Sequence, residues 1–337
     1  MSRRPSQPGV HDGVSATRWL AVACAVLALL AGGFVQGAAV RAQDASPVPS
    51  PVAAECDAPT LPPGTPTPQM QGSPVAAPAG AEEEAAATPE AGTPADEATA
   101  AAITAAVENY AACYNTGDPT KYDALKTENQ LLAEYGSTNP YDAIASDQGS
   151  PPFAAQIVSI TNPMTYADGR VSAEIEVILG GHQFQHETMF FVQDGEYWKL
   201  DEEVILAPEP EGDTAVVGVQ LATPDNEYTI VPAATEVTQS PVLIFHVTNA
   251  GKEAHEMLVL LLPEGADPMG LINGSLGFDQ VQFLGGVFGL APGDAEDLAL
   301  VNLDPGTYTL ICFFPAPDGK SHAEHGMVTQ FKIDPPA

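Results

Sequence analysis

The chain has 337 residues, 11 of them basic and 44 acidic, for a formal charge of −33, and is long enough for two ordinary domains. So acidic a chain repels nucleic acid and anionic membrane surfaces and attracts cationic partners, which excludes nucleic-acid binding.

The N-terminus reads as an export signal. Arg3, Arg4 and Arg18 lead into the apolar run "WLAVACAVLALLAGGFVQGAAV", and "VRA" ending at Ala42 resembles a signal-peptidase site. The run is also long enough to remain as an uncleaved membrane anchor. Either outcome places the body of the protein outside the cytoplasm: periplasmic, anchored at the cell surface or secreted. Cleavage after residue 42 removes one acidic and four basic residues, leaving 43 and 7 and a charge of −36. It also removes Cys24 and leaves Cys56, Cys113 and Cys312. In an oxidising compartment an odd count leaves at least one thiol without an intramolecular partner. Cys56 and Cys113 are free to pair, although sequence does not show it; Cys312 then needs another occupation.

Residues 43–96 hold twelve of the 32 prolines, the acidic run "AEEEAAA" and no aromatic residue. Such a stretch cannot bury enough apolar surface to offset ordering entropy and is expected to be a disordered, partly extended linker. A first domain over 97–206 opens with a helix: Ile103, Val107, Tyr110 and Tyr114 recur at helical spacing, Asp96 caps the start and Gly117 suits the stop. "DPTKYDALKTENQLLAEYG" predicts a second helix ending near Gly136. The period then changes to two. Val171, Ala173, Ile175, Val177 and Leu179 alternate, Gly180-Gly181 turns, "HQFQHETMFFV" returns, and Asp194-Gly195 leads into "EYWKLDEE". Helices followed by a meander predict an α+β domain with helices on one face of a bent antiparallel sheet. His186 shares a strand face with Phe184, Phe190 and Val192, and His182 lies on that face too, so either is able to point inward. No inward carboxylate partner is assignable, and both are read as satisfied or surface histidines. "AAVENYAACYNTGD" followed by hairpins closing on "DGEYWKLDEE" resembles the nuclear transport factor two-like (SnoaL-like) cone fold. That resemblance implies a fold rather than an activity, since the fold hosts enzymes and inert modules alike.

From 213 to 335 the chain reads as all-β. "TAVVGVQL", "EYTIV", "PVLIFHVTN", "HEMLVLLL", "EDLALVNL", "GTYTLICFF" and "GMVTQFKID" are short strands parted by Pro, Gly and Asn/Asp turns, which predicts a Greek-key sandwich. The exception is 263–293, too glycine-rich for a regular strand and too apolar for a free loop; it is expected to fold over one end. Strand alternation leaves His246 exposed.

The stretch "CFFPAPDGKSHAEHGM", residues 312–327, gathers a cysteine, two histidines and a methionine on one Pro/Gly-bearing loop between strands. His255 lies far back in sequence, after the turn "NAGKEA", at the head of a strand whose start is able to reach the same end of a sandwich. One thiolate, two imidazoles and a weak axial thioether form the donor set that suits blue copper. A buried free cysteine is also an ordinary small core residue, and loop histidines are common in sandwiches.

The residues in question resemble the cupredoxins, the plastocyanin/azurin-like proteins. "VTNAGKEAHEMLVL" looks like their strand–turn–histidine segment. "LAPGDAEDLALVNLDPGTYTLIC" is similar to their run through two PG turns into the ligand cysteine, and "HAEHGM" matches their His-x4-Met spacing. The resemblance implies one copper ion with His255, Cys312 and His322 in its plane and Met327 on its axis. Two features depart from the pattern. The cysteine-to-histidine spacer, "FFPAPDGKS", is longer than in many small members, although longer ones occur in copper nitrite reductases. Glu256 stands where Asn often follows the upstream histidine and helps tie the ligand loops together; a carboxylate there changes the surroundings of the ligands or faces solvent. The function implied is single-electron transfer by an exported protein with a basic redox partner, and not an enzyme, because four protein ligands leave no position open for substrate. The rival expectations are a metal-free scaffold whose cone holds a small apolar ligand, and a copper chaperone with a labile site.

Overall fold

The computed structural model describes residues 55–67, 92–148 and 153–336. The expected N-terminal export signal or membrane anchor and most of the expected linker lie outside them. No helix among the described residues is long and apolar enough to cross a membrane.

The first domain begins with helix α1, Glu97–Tyr114, whose N-cap Asp96 accepts the Thr99 N–H at 2.8 Å. The second helix expected from sequence is broken. Pro119–Tyr122 (α2) passes through a 3-10 turn at Asp123–Leu125 before Glu128–Tyr135 (α3) resumes, because Thr127 accepts the Gln130 N–H and starts a new helix. Gly136, at φ 68°, ends α3 where it was expected, and Pro140–Asp147 adds α4. Strands β2 (Ala155–Thr165), β3 (Val171–Leu179), β4 (Gln183–Asp194) and β5 (Tyr197–Leu206) form an antiparallel meander, with β1 (Thr93–Pro94) paired on β2. Ile103 and Val107 of α1 pack on Ala173, Ile175, Met189, Phe191 and Leu200. Helix α1 thus packs on one face of this antiparallel sheet.

Register decides which face of β4 looks inward. Val171, Ala173 and Ile175 lie opposite Phe191, Met189 and Glu187, so the odd-numbered positions join the core. His186 lies opposite Glu176 on the other face, with Nδ1 3.1 Å from the Ala207 carbonyl. His186 is therefore the satisfied histidine off the core that was expected, and does not point inward. The inward titratable group is Glu187, whose carboxyl burial pushes well above its ordinary value. Nearby, buried Lys126 bridges Asp123 (3.0 Å) and Glu134 (2.6 Å).

Residues 55–67 do not behave as the expected tether. Cys56 and Cys113 form a disulfide, the Asp57 N–H donates to Asn109 at 2.8 Å, and the Thr67 N–H donates to Asp142 at 2.6 Å. Composition could not reveal this, because the fixed points are a covalent bond and side chains on distant helices. Replacing both cysteines by serine is expected to cost about 4 kcal/mol, the chain entropy released from a loop of 57 residues. A lowered urea midpoint of the oxidised wild type relative to the double variant would contradict this; the reverse order is expected.

The second half is a two-sheet sandwich. One layer is β12 (Ala295–Val301), β9 (Val242–Asn249), β6 (Thr214–Thr223) and β7 (Asn226–Pro232). The other runs β11 (Gln282–Leu290), β10 (His255–Leu261), β13 (Gly306–Ile311), β14 (Val328–Asp334) and β8 (Glu236–Thr238). Non-consecutive neighbours, including the parallel pairs β6–β9 and β8–β14, mean that connections cross between layers. Val217, Phe245 and Leu298 meet Met257, Leu310 and Phe331 in the core between them. His246 is exposed, with Nδ1 2.6 Å from Asp297.

Two features were not legible. The segment 263–293 holds a short helix α5 (Met269–Asn273) and a nine-residue strand, β11, despite its glycines. At Gly285 (φ 153°) a Cβ would lie 2.8 Å from Leu300 and 3.0 Å from Gln183, so glycine admits the first domain's side chain. The two domains also share a sheet. The start of β4 pairs with β12 (Phe184 opposite Ala299), Val301 N–H donates to the His182 carbonyl at 2.8 Å, and His182 Nδ1 lies 3.2 Å from the Val301 carbonyl. His182 is thus a tie between domains.

Candidate metal centre

Three neighbouring strands bring the distant residues to one end of the sandwich. β10 begins with His255, and its partner β13 runs into Cys312, with Leu258 opposite Ile311. β14 pairs β13 on the other side, and the Cys312 N–H donates to the Met327 carbonyl at 3.1 Å. The loop between them carries a 3-10 turn, His322–His325, closed at its head by a capping box. Ser321 N–H donates to Glu324 at 2.7 Å, and Glu324 N–H donates back to Ser321 Oγ at 3.2 Å. Gly326 (φ 98°) ends the turn, and the Met327 N–H donates to the His322 carbonyl at 3.0 Å.

His255, Cys312 and His322 are fully buried, and one ligand atom of each lies within 4.8 Å of the others. His255 Nδ1 is 2.9 Å from His322 Nδ1, which is 3.4 Å from Cys312 Sγ. These three residues are able to hold a metal ion. Met327 is fully buried in the same core cluster as Cys312. His325 is apart: half-buried at the rim, with Nε2 3.1 Å from Asp318 and its ring stacked on Tyr228 at 4.4 Å.

The outward edges of the two imidazoles face carboxylates, His255 Nε2 lying 3.1 Å from Glu227 and His322 Nε2 3.2 Å from Glu253. An ionised carboxylate only accepts, so a ring proton on each outer nitrogen is the arrangement that satisfies both pairs. Both inner lone pairs then face one another and the sulfur. Burial holds both imidazoles below the ordinary histidine range, and for His322 the neighbouring His255 adds to this, so a proton is a poor bridge between them. Burial and the nearby Glu256 carboxyl push the Cys312 thiol well up, and backbone N–H groups of Glu256 and Phe314 offset this only in part. A thiolate therefore forms here only against a positive charge. Three candidate metal donors thus converge in a closed core.

Glu256, flagged in the sequence for replacing an amide, is buried, and its carboxylate accepts the Phe313 N–H at 2.8 Å. It ties the β10 and β13 ends together as an amide would. Burial raises its carboxyl to about 7, against the opposing pull of that hydrogen bond. Sequence reasoning missed Glu227 and Glu253, which lie 28 and 69 residues from their imidazoles with no spacing pattern to betray them.

No family model matches the chain, and no curated protein matches it. Among solved structures it is similar to auracyanin B, with 18% identity over 38% of this chain and 94% of that one and a TM-score of 0.27. It is similar to auracyanin A, a "blue" copper protein from the green thermophilic photosynthetic bacterium Chloroflexus aurantiacus. There the identity is 17%, over 37% of this chain and 100% of that one, with a TM-score of 0.26. Rusticyanin from Thiobacillus ferrooxidans is matched at 16% identity over 37% of this chain and 79% of that one, with a TM-score of 0.24.

Proposed function

We propose that this chain is an exported cupredoxin-like protein that binds one copper ion at a type 1 site and passes single electrons. His255, Cys312, His322 and Met327 would hold the ion. The observation that carries the reading is the convergence of two imidazole Nδ1 atoms and a cysteine sulfur, all buried, with both outer nitrogens capped by carboxylates. The proposed donor set separates copper from zinc: a closed zinc site takes a fourth Cys, His or carboxylate, whereas the fourth residue of this set, Met327, is a thioether. Copper supplies the change of one electron between its two oxidation states. The protein's part is to hold one ligand geometry acceptable to both, through three hydrogen-bonded strands and a capped turn. With four protein ligands there is no position for substrate, so the reading is of an electron carrier and not an enzyme.

Export is supported by the signal-like N-terminus and by the Cys56–Cys113 disulfide, which persists in oxidising compartments. The first domain, residues 97–206, is read as a nuclear transport factor two-like module preceding the cupredoxin-like domain at 213–335. The acidic surface selects a basic redox partner and makes the encounter sensitive to salt. The test is copper stoichiometry with an absorption spectrum of the full chain. One copper per chain and an intense visible band are expected; a colourless protein after copper loading rejects the proposal.

A further inference from the structure

Glu227 and Glu253 belong to a built arrangement rather than a loose acidic surface. One oxygen of Glu227 accepts three donors: the Lys252 N–H at 2.6 Å, the Glu253 N–H at 2.9 Å and His255 Nε2 at 3.1 Å. Space for it depends on Gly251, where a Cβ would lie 2.4 Å from that Glu227 oxygen and 2.8 Å from His255 Nε2. Glu253 lies in the turn before β10. Asn249 donates to its carbonyl at 2.8 Å, one carboxylate oxygen is 3.2 Å from His322 Nε2, and the other accepts the Tyr228 hydroxyl at 3.4 Å. The Tyr228 ring packs on His322 with centroids 5.0 Å apart. Both carboxylates are partly exposed while both imidazoles are wholly buried, so each carboxylate stands on the solvent side of its imidazole.

We infer that Glu227 and Glu253 are positioning residues for the metal ligands, fixing both Nε2–H tautomers and lowering the reduction potential of the site. The inference rests on the copper reading above for its second half only. A carboxylate hydrogen-bonded to the outer nitrogen makes an imidazole a stronger donor at the inner one, and its negative charge favours the more positive oxidation state. Two such carboxylates act in the same direction, one on each histidine ligand.

The experiment compares the full chain with Glu227→Gln, Glu253→Gln and the double variant. Glutamine retains an acceptor oxygen for the backbone N–H groups and removes the charge, so the loop is expected to keep its shape. Each single change is expected to shift the ratio of Cu(I) to Cu(II) affinity roughly tenfold toward Cu(I), about 59 mV upward for a one-electron couple. The double variant is expected to show the sum, with the visible band retained. Potentials equal to wild type in all three variants overturn the effect on potential. A second measurement needs neither copper nor a variant: long-range 1H–15N NMR of the metal-free protein locates the ring protons. Protons on Nε2 of both His255 and His322 are expected. A bare Nε2 beside either carboxylate overturns the positioning role, whether or not the protein takes copper. If wild type takes no copper but both Nε2 protons are found, the function proposed above fails and the tautomer assignment stands.

Discussion

Cys312→Ser is expected to abolish the intense visible absorption of the copper-loaded protein while leaving its fold intact. The band of a type 1 site comes from charge transfer between a thiolate and copper, and Cys312 is the free cysteine among the described residues. Its Sγ accepts the Glu256 N–H at 3.4 Å and lies 3.4 Å from His322 Nδ1. A serine hydroxyl is smaller and harder and does not ionise there, so the soft donor is lost outright. Stability should fall by only about 1–3 kcal/mol, because the Glu256 N–H still offers the buried hydroxyl a partner. Far-ultraviolet circular dichroism and the absorption spectrum separate the two effects. A variant that keeps the wild-type band would rule out Cys312 as the ligand.

The second large effect separates the two histidines of "HAEH". His322→Ala is expected to lose type 1 copper, whereas His325→Ala keeps the colour and alters at most the rate of electron transfer. The 3-10 turn makes the difference. It directs His322 inward to within 3.4 Å of the sulfur, and leaves His325 at the rim between Asp318 and the Tyr228 ring. His322→Ala also leaves the Glu253 carboxylate without its ring partner and opens a buried cavity, for a stability loss of about 2–4 kcal/mol. His325→Ala, at a half-exposed position, should lie within about 1 kcal/mol of wild type. Copper analysis, absorption spectra and urea midpoints of both variants decide the matter. The reverse pattern would mean that the chain turns differently at Ser321.

Much of the fold was readable because the signals are local. The alternation at 171–179, the Asp96 cap and the Gly136 stop each depend on a few adjacent residues, and the structure has them where they were expected. The break at Lys126–Thr127 was missed because a helical apolar pattern continues across it, and the competing cap at Thr127 reads as an ordinary polar residue within that pattern. Strand β2 was passed over altogether. Its two register shifts against β3 spoil the simple alternation that a sequence reading depends on.

The chemistry of the site divides along the same line. The candidate donor types, their order and the single His-x4-Met loop were legible in the sequence, because coordination preference belongs to residue identity and three of the four candidates lie within sixteen residues. It also determined the acidic surface and the odd cysteine. Only the tertiary structure decided which face of β4 looks inward, since a register shift of one residue reverses every side chain. Only there does a glycine-rich segment become a strand that admits Gln183, and does residue 56 become bonded to residue 113. The pairing of Glu227 with His255 and of Glu253 with His322 belongs to the same class. Each joins residues that meet only after the sandwich closes, and the loops that carry them are placed by strand pairing elsewhere in the chain.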